Sequence, residues 1–341
     1  MTSNQDLLLL ENDNIIPFPS DFIFGTATAA YQIEGAYNDD GRGMSIWDEF
    51  SHTLGKTANG DTGDVADDHY HKVRQDVDLL YDLGIKNYRM SISWTRILPN
   101  GLLSGGVNQQ GIDHYNMEIN YLISKGINVM ITLFHWDYPQ YLESVFGGWL
   151  NKNVSISAFC DYADLCFQLF GDRVKLWITL NEPWVVAWLG YGVGVNAPGI
   201  RTPDKSENND SSVNSRTYGN SSTEPYLAAH HQLLAHAHAV KIYRSKYQSI
   251  QQGKIGIALN SNYNEPLNEN DPLDIEAAER QQLFDLGWFA DPIVFGDYPQ
   301  VMKDLVGKER LPEFTIEEQQ ILAKSFDFIG LNHYTSRYVS H

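Results

Sequence analysis

The sequence predicts an α/β fold, a (β/α)8 TIM barrel that is incomplete, with about six of its eight βα units present. Amphipathic helices alternate with short apolar strands, which is the pattern of parallel βαβ units. Strand interiors such as Val129-Met130-Ile131 are apolar without alternation, as expected when both faces are buried. A doubly wound open sheet is the competing fold, but no Gly-x-Gly-x-x-Gly sequence follows a predicted strand. The barrel is therefore favoured.

Four helices are predicted from apolar residues at helical spacing, over residues 67–83, 112–125, 156–170 and 224–247. In the first of them one face carries Val73, Val77, Leu80 and Leu83. Each of the first three is followed by a glycine suited to a C-cap, namely Gly84, Gly126 and Gly171. The fourth has Pro225 in its first turn, where proline is tolerated.

Six strands are predicted, over residues 22–27, 85–91, 127–134, 176–180, 254–259 and 326–331. Polar or aromatic residues follow them in chain order: Gln32 and Glu34, Ser93 and Trp94, His135 and Trp136, Asn181 and Glu182, Asn260, and Asn332 to Tyr334. The carboxyl ends of parallel barrel strands meet at one rim, so these side chains are predicted to surround one site.

Two segments differ from this regular pattern. Residues 1–20 are expected to form an N-terminal extension, and residues 21–341 one partial TIM-barrel catalytic domain. Residues 196–223 are rich in Asn, Ser, Asp and Gly and predict a long loop. Both a surface insertion beside the active site and a disordered segment fit that composition.

The chain is strongly acidic, with 24 Lys+Arg against 43 Asp+Glu and a formal net charge of −19. This charge disfavours nucleic acid, anionic membranes and polyanionic substrates as partners. No apolar run approaches the ~20 residues of a transmembrane helix. The expected partner is a neutral or cationic small molecule, and the sequence does not indicate an oligomeric state.

Signals for secretion are weak in this sequence. The apolar residues 7–10 are too few for a signal peptide and follow no basic residue, so a cytoplasmic location is favoured unless the N-terminus is incomplete, when a secretory route would be open. Cys160 and Cys166 are six residues apart on a predicted helix and cannot pair. Asn-x-Ser sequences at Asn153, Asn209 and Asn220 fit the N-glycosylation pattern, which often arises by chance.

The polar residues at the strand ends suit glycosidic-bond hydrolysis. That reaction passes through an oxocarbenium-like transition state between two carboxyl groups, while Asn, Gln, His and Trp side chains bind the sugar hydroxyls. The sequence Thr-Leu-Asn-Glu-Pro-Trp over residues 179–184 places Glu182 directly after a strand, and Pro183 ends the strand's hydrogen bonding. From these residues alone, Glu182 is either a catalytic carboxyl or an ordinary loop carboxylate.

Several longer motifs resemble glycoside hydrolase family 1, the β-glucosidases and their relatives. These motifs lie at residues 22–36 (FIFGTATAAYQIEGA), 88–94 (YRMSISW), 133–137 (LFHWD), 179–184 (TLNEPW), 219–226 (GNSSTEPY), 287–292 (GWFADP) and 327–332 (DFIGLN). They occur in the family's order and cover nearly the whole chain. The resemblance implies a retaining β-glucosidase that hydrolyses terminal non-reducing β-D-glucosyl residues, without a cofactor or a catalytic metal.

The resemblance also implies roles for individual residues. Glu182 would be the acid/base, and with Glu at this position O-glycosides are the expected substrates. Asn181 would bind the sugar 2-hydroxyl, and Gln32 and His135 would hold hydroxyls on the far side of the ring. Tyr334, together with Arg89, would contact the nucleophile carboxylate. Trp184 would lie toward the leaving group.

One departure from the family pattern concerns the nucleophile. The family's second catalytic carboxylate lies in a Thr-Glu-Asn-Gly-like motif on the seventh strand, and no glutamate of this chain has that context. The nucleophile is therefore expected to be missing from this chain. An alternative is a catalytically inactive short isoform or fragment that at most binds sugar.

Two histidine clusters are interpreted as structural rather than as metal sites. His69 and His71, beside Asp67 and Asp68, could suggest a metal site, but they begin a helix whose dipole favours acidic residues. The histidines of the helix over residues 224–247 are expected to pack and hydrogen-bond rather than bind metal. Structural hydrogen-bonding roles are likewise expected for Glu34 and Asp137, which lie close to the predicted rim.

Overall fold

A computed structural model describes residues 18–203 and 218–341. Most of the predicted N-terminal extension and residues 204–217 of the predicted loop, with Asn209, lie outside the described residues. The described strands are β1 (Thr26–Ala27), β2 (Asn87–Ser91), β3 (Asn128–Phe134), β4 (Leu176–Asn181), β5 (Lys254–Pro266) and β6 (Phe328–Val339). They form one parallel sheet in the order β1-β2-β3-β4-β5-β6.

Helices connect these strands in every interval. They are α1 (Ala30–Ile33), α2 (Ile46–His52), α3 (His69–Asp82), α4 (Trp94–Ile97), α5 (Gln109–Ser124), α6 (Gln140–Phe146), α7 (Lys152–Phe170), α8 (Glu224–Lys246), α9 (Gln248–Gln251), α10 (Pro272–Gln282), α11 (Trp288–Phe295), α12 (Gln300–Val306) and α13 (Ile316–Leu322). Two π-helical segments occur at Val185–Val193 and Leu283–Gly287. The prediction of an incomplete (β/α)8 barrel is confirmed, because sequential parallel strands joined by helices are the repeating unit of that fold.

The core lies between the sheet and its covering helices. Trp94, after β2, stacks on Tyr162 of α7 with ring centroids 4.9 Å apart and planes inclined by 7°. The Tyr162 hydroxyl reaches the carbonyl of Leu133 on β3 at 2.9 Å. All three residues are fully buried. Such aromatic packing fixes α7 against the central strands and so fixes the position of the strand ends.

The four predicted helices are present as α3, α5, α7 and α8, with ends shifted by a few residues. The last two strands are longer than predicted. β5 extends through polar residues to Pro266, and β6 continues to Val339, because the two pair with each other along their whole length. Partner pairing thus overrides the weak strand propensity of residues 260–266.

The first strand is shorter than predicted, since only Thr26–Ala27 pairs with β2. Before it, the rings of Phe18, Phe22 and Phe24 pack against one another with centroids 4.5 to 5.0 Å apart. In the described sheet β1 and β6 each have a single neighbour. Within the described part of the chain, no helix combines the length and the hydrophobicity needed to cross a membrane.

Candidate active site

The end of β4 places Asn181 and Glu182 at the carboxyl rim of the sheet. Both are buried, with 1% and 2% of their surface exposed. The Glu182 amide still donates to the carbonyl of Ala258 on β5 at 2.8 Å, but the backbone then turns, with Glu182 at φ 46°. A left-handed conformation is costly for a residue with a β-carbon and is concentrated at functional sites. The strand thus ends at a carboxyl group held in a defined direction.

Two side chains of β6 hold this carboxyl group. Asn332 Nδ2 donates to Glu182 Oε1 at 2.6 Å, and the Tyr334 hydroxyl donates to the same oxygen at 2.5 Å. Within the described residues, Glu182 Oε2 accepts no hydrogen bond from another side chain. One oxygen is therefore anchored, while the other is left for a ligand.

Asn181 is the centre of a second group of hydrogen bonds. Its Oδ1 accepts from Arg89 Nη2 at 2.6 Å and from Asn332 Nδ2 at 3.1 Å. Its Nδ2 donates to His135 Nε2 at 3.1 Å, and its carbonyl accepts from Trp136 Nε1 at 2.8 Å. Strands β2, β3, β4 and β6 thereby contribute to one polar cluster, which we call the rim cluster: Arg89, His135, Asn181, Glu182, Asn332 and Tyr334.

His135 is neutral in this cluster. Burial, together with the positive charge of Arg89, lowers the pKa of His135 to about 3. Because its Nε2 accepts from Asn181, the ring proton lies on Nδ1. That nitrogen is buried and has no hydrogen-bond partner among the described residues. His135 therefore offers one unused donor.

Charge in the rim cluster is concentrated on Arg89 and Glu182. Burial lowers the pKa of Arg89, and the carboxylate of Glu182 acts in the opposite direction. Burial and the hydrogen bond to Glu182 raise the pKa of Tyr334 to about 12, so its hydroxyl remains a donor. Among the described residues, Glu182 is the one carboxylate that hydrogen-bonds to other members of the rim cluster.

Four of the five predicted site residues lie together in the rim cluster: His135, Asn181, Glu182 and Tyr334. Gln32, in α1, is exposed and has no side-chain hydrogen bond to the cluster among the described residues. It lies near the same rim, since the amide of Ala30 donates to Ser91 Oγ at the end of β2 at 2.7 Å. The predicted sugar contact of Gln32 stays a prediction.

The sequence places Asn332 at the predicted rim but assigns it no role in the site. The available signal was its position two residues before Tyr334 at the end of a strand, since alternate residues point to the same face. The resemblance implied that Tyr334 contacts a nucleophile carboxylate, whereas here it binds Glu182. Tyr334 is also 70% exposed, because β6 has one neighbouring strand in the described sheet.

The other predicted polar residues serve the scaffold. Glu34 accepts from Arg96 Nε at 3.0 Å and from the Tyr115 hydroxyl at 2.6 Å. Burial acts to raise the pKa of Glu34, but the charge of Arg96, together with His114 and the Tyr115 hydrogen bond, holds that pKa below its usual value. The hydrogen-bonding role expected for Asp137 is not seen, since both of its carboxyl oxygens are buried without a hydrogen-bond partner among the described residues. Burial raises the pKa of Asp137 to about 7. On α8, His236 Nδ1 lies 2.7 Å from Thr179 Oγ1, a structural contact to β4.

The rim cluster has one carboxylate and mostly amide, phenol and guanidinium groups, which is not a donor set typical of a metal site. In the described residues, three potential ligands approach within 4.8 Å at Asp271, Asp274 and His341. The two acidic side chains already accept hydrogen bonds from nearby backbone amides. Asp271 caps α10 by accepting from the Leu273 amide, and Asp274 accepts from the amide of His341 at 3.1 Å.

Comparison with known proteins agrees with this geometry. Residues 15–341 match the family described as Glycosyl hydrolase family 1. The chain belongs to glycosyl hydrolase family 1. It is 52% identical over 327 residues to Beta-glucosidase 6 of Oryza sativa subsp. japonica, covering 95% of this chain and 60% of that protein. It is 50% identical over 335 residues to Raucaffricine-O-beta-D-glucosidase of Rauvolfia serpentina, covering 95% of this chain and 62% of that protein.

Solved family-1 structures superpose closely on the chain. A rice β-glucosidase Glu→Gln variant, in a covalent complex with Glc, has a TM-score of 0.88 at 50% identity, with 95% of this chain and 65% of that chain covered. A β-glucosidase from the fungus Humicola insolens, in complex with glucose, has a TM-score of 0.89 at 48% identity, with 94% and 65% covered. The chain spans about three fifths of the length of the curated family-1 relatives described above.

Proposed function

We propose that this chain carries the acid/base and sugar-binding part of a retaining β-glucosidase acting on terminal, non-reducing β-D-glucosyl residues of O-glycosides. The observation that carries the proposal is the anchored, buried carboxyl of Glu182 at the rim of a family-1 barrel. Relatives about 50% identical are named β-glucosidases, which supports the substrate class. A relative in a covalent complex with Glc supports the retaining route.

Glu182 would first protonate the oxygen of the leaving group and later take a proton from the attacking water. The geometry favours Oε2 as the atom that carries this proton. Oε1 already accepts hydrogen bonds from Asn332 and Tyr334, so a proton there would displace a donor. Two donors on Oε1 would also stabilise the carboxylate that remains after the proton has left.

Sugar binding would use the groups around Glu182. Asn181 would hold the 2-hydroxyl beside the reacting carbon, and neutral His135 would contact another hydroxyl. Gln32 would approach from α1, which follows β1 at the same rim. A neutral substrate suits this arrangement because Arg89 and Glu182 balance each other's charge.

The nucleophile is the second part of the proposal. A retaining glycosidase needs a second carboxylate roughly 5–5.5 Å from the acid. We assign no residue of this chain to that role, since no other carboxylate joins the rim cluster among the described residues. The alternative, an inactive chain that at most binds sugar, is favoured by the same observation and by the 70% exposure of Tyr334.

A chimera tests the function of Glu182. This chain would be joined to the carboxyl-terminal part of the 52% identical rice relative and assayed with p-nitrophenyl and alkyl β-D-glucosides. Glu182→Gln should lower kcat/KM for the alkyl glucoside by about 10²–10⁴-fold, and kcat/KM for the p-nitrophenyl substrate less, because a good leaving group needs little protonation. Glu276→Gln, in exposed helix α10, is the matched control.

These measurements test the acid/base role of Glu182 separately from the absence of a nucleophile. An equal loss of kcat/KM on both substrates, or no loss, would contradict the role of Glu182 as the acid. NMR of the released sugar should show β-glucose first, and α-glucose would contradict retention. The 341-residue chain alone should give no turnover. Turnover comparable to that of the chimera would overturn the nucleophile assignment and leave the acid/base role standing.

A further inference from the structure

Asn-x-Ser sequences are the acceptor motif for N-linked oligosaccharides, and two of the three in this chain lie in described residues. These are Asn153-Val154-Ser155 and Asn220-Ser221-Ser222. Attachment of an oligosaccharide uses the asparagine amide nitrogen and the serine hydroxyl two residues later. The hydrogen bonds of these two groups differ between the two motifs.

In the second motif these two groups are brought together by a local turn. Asn220 Oδ1 accepts from the Ser222 amide at 3.0 Å and from Ser222 Oγ at 2.6 Å. Hydrogen bonds to the oxygen draw electron density from the amide, so a proton on Nδ2 is lost more easily. Nδ2 itself has no acceptor among the described residues, and Asn220 is exposed. This side chain is therefore presented with its nitrogen free.

The surrounding backbone holds the turn on the protein surface. Ser221 Oγ donates to the carbonyl of Gly192 at 2.7 Å, and the Ser221 amide donates to Thr202 Oγ1 at 2.8 Å. The Asn220 carbonyl accepts from the amide of Glu224, at the start of α8, at 2.9 Å. The turn is anchored by its middle residue and its backbone, so a group attached to Asn220 would displace no core side chain.

The first motif lacks these features. Asn153 lies in the first turn of α7, and Ser155 is completely buried. Its hydroxyl donates to the carbonyl of Gly148 at 2.5 Å, away from Asn153. The two motifs therefore differ in whether their hydrogen bonds are local in sequence. The contacts within Asn220–Ser222 span two residues and can form before the chain folds.

We propose that Asn220 is an acceptor site for an N-linked oligosaccharide when the chain follows the secretory route. The donor is an oligosaccharide on a polyprenyl diphosphate. A C–N bond forms between Asn220 Nδ2 and the anomeric carbon of the first sugar, and the bond from that carbon to the diphosphate oxygen breaks. The polyprenyl diphosphate leaves with the electron pair, and the Nδ2 proton passes to a base of the transferase. The inference does not depend on the proposed hydrolase activity.

Cell-free translation of the full chain behind a cleavable leader, with microsomes, tests this. The unsubstituted chain should gain one mobility step that endoglycosidase H removes, and mass spectrometry should place the sugar on the peptide containing Asn220. Asn220→Gln and Ser222→Ala should each abolish the step, while Ser222→Thr should retain it because threonine keeps the hydroxyl.

Two matched variants, Asn153→Gln and Asn209→Gln, remove the other motifs and should leave the step unchanged. A known glycoprotein translated in parallel shows that the microsomes are competent. With that control positive, an unmodified Asn220 peptide would overturn the proposal. So would a sugar confined to Asn153 or Asn209, or a step that survives Ser222→Ala.

Discussion

The buried imidazole of His69 predicts an alkaline loss of stability. Its Nδ1 lies 2.7 Å from Asp76 Oδ2, and its Nε2 lies 3.0 Å from Glu118 Oε1. Only a protonated ring can donate from both nitrogens. His114 lies 3.8 Å from the other oxygen of Glu118, and the charge of Glu34 also favours protonated His69. The fold therefore contains a buried imidazolium surrounded mainly by carboxylates.

The magnitude follows from the pKa of His69. Burial acts to lower this pKa, but Glu118 and Asp76 outweigh it and raise it from 6.5 to about 9. Because the folded-state pKa is raised, the stabilisation is complete below pH 6.5 and is lost as the pH rises through about 9. The gap corresponds to about 3 kcal/mol, of which about 2 kcal/mol disappears between about pH 7.5 and pH 9.5.

Chemical denaturation of the chain and of His69→Gln at both pH values measures this effect. The variant should be less stable throughout, since Glu118 would be left buried beside an uncharged partner. Its deficit should shrink by about 2 kcal/mol at the higher pH. The control is His52→Gln, which removes a surface contact to Asp64 and should change stability little at either pH. A deficit for His69→Gln that is equal at both pH values would refute the reasoning.

Three further predictions concern other parts of the fold. Burial raises the pKa of Asp137 to about 7 from 3.8, so its contribution to stability falls as the pH rises across that range; Asp137→Asn should therefore gain in Tm relative to the unsubstituted chain between about pH 5 and pH 7.5, and parallel melting curves would contradict this. Gly25→Ala would place a β-carbon 2.4 Å from the carbonyl oxygen of Asn87 and should cost about 1–3 kcal/mol in denaturant unfolding, while the control Gly330→Ala, whose β-carbon meets nothing closer than 3.4 Å, should cost less. The 341-residue chain should self-associate through β6 (Phe328–Val339), whose outer edge carries exposed apolar side chains; a monodisperse monomer in light scattering would contradict this.

The general architecture could be predicted because its signals are local. The apolar spacing of α3 and the glycine after it define a helix without reference to the rest of the chain. The run Val129-Met130-Ile131 defines a strand buried on both faces in the same way. The parts of the fold that the sequence does not predict depend on pairing between strands. The second half of β5 is polar, and it is a strand only because β6 lies beside it.

The same distinction applies to the candidate site. Glu182 and Asn181 were predicted because a conspicuous motif follows a strand, and His135 because it ends the neighbouring strand. Asn332 is predicted at the rim but without a role, because that role depends on the distance to Glu182, which adjacent residues do not reveal. The sequence also does not predict the positive φ of Glu182, since glutamate has no preference for that conformation.

Strand register explains why simple alternation along β4 does not predict the direction of Glu182. Between Ile178 and Asn181, β4 advances three residues while β5 advances two, from Gly256 to Ala258. β6 gains one residue in the same way, because Ser261 pairs with His333 but Tyr263 pairs with Ser336. One extra residue reverses the face on which the following side chains lie, and such bulges redirect side chains beside active sites. The two strands with an extra residue are those that deliver Glu182 and Tyr334. Both register shifts lie close to the residues that form the hydrogen bond between these two side chains, and no periodic pattern in the sequence encodes the shifts.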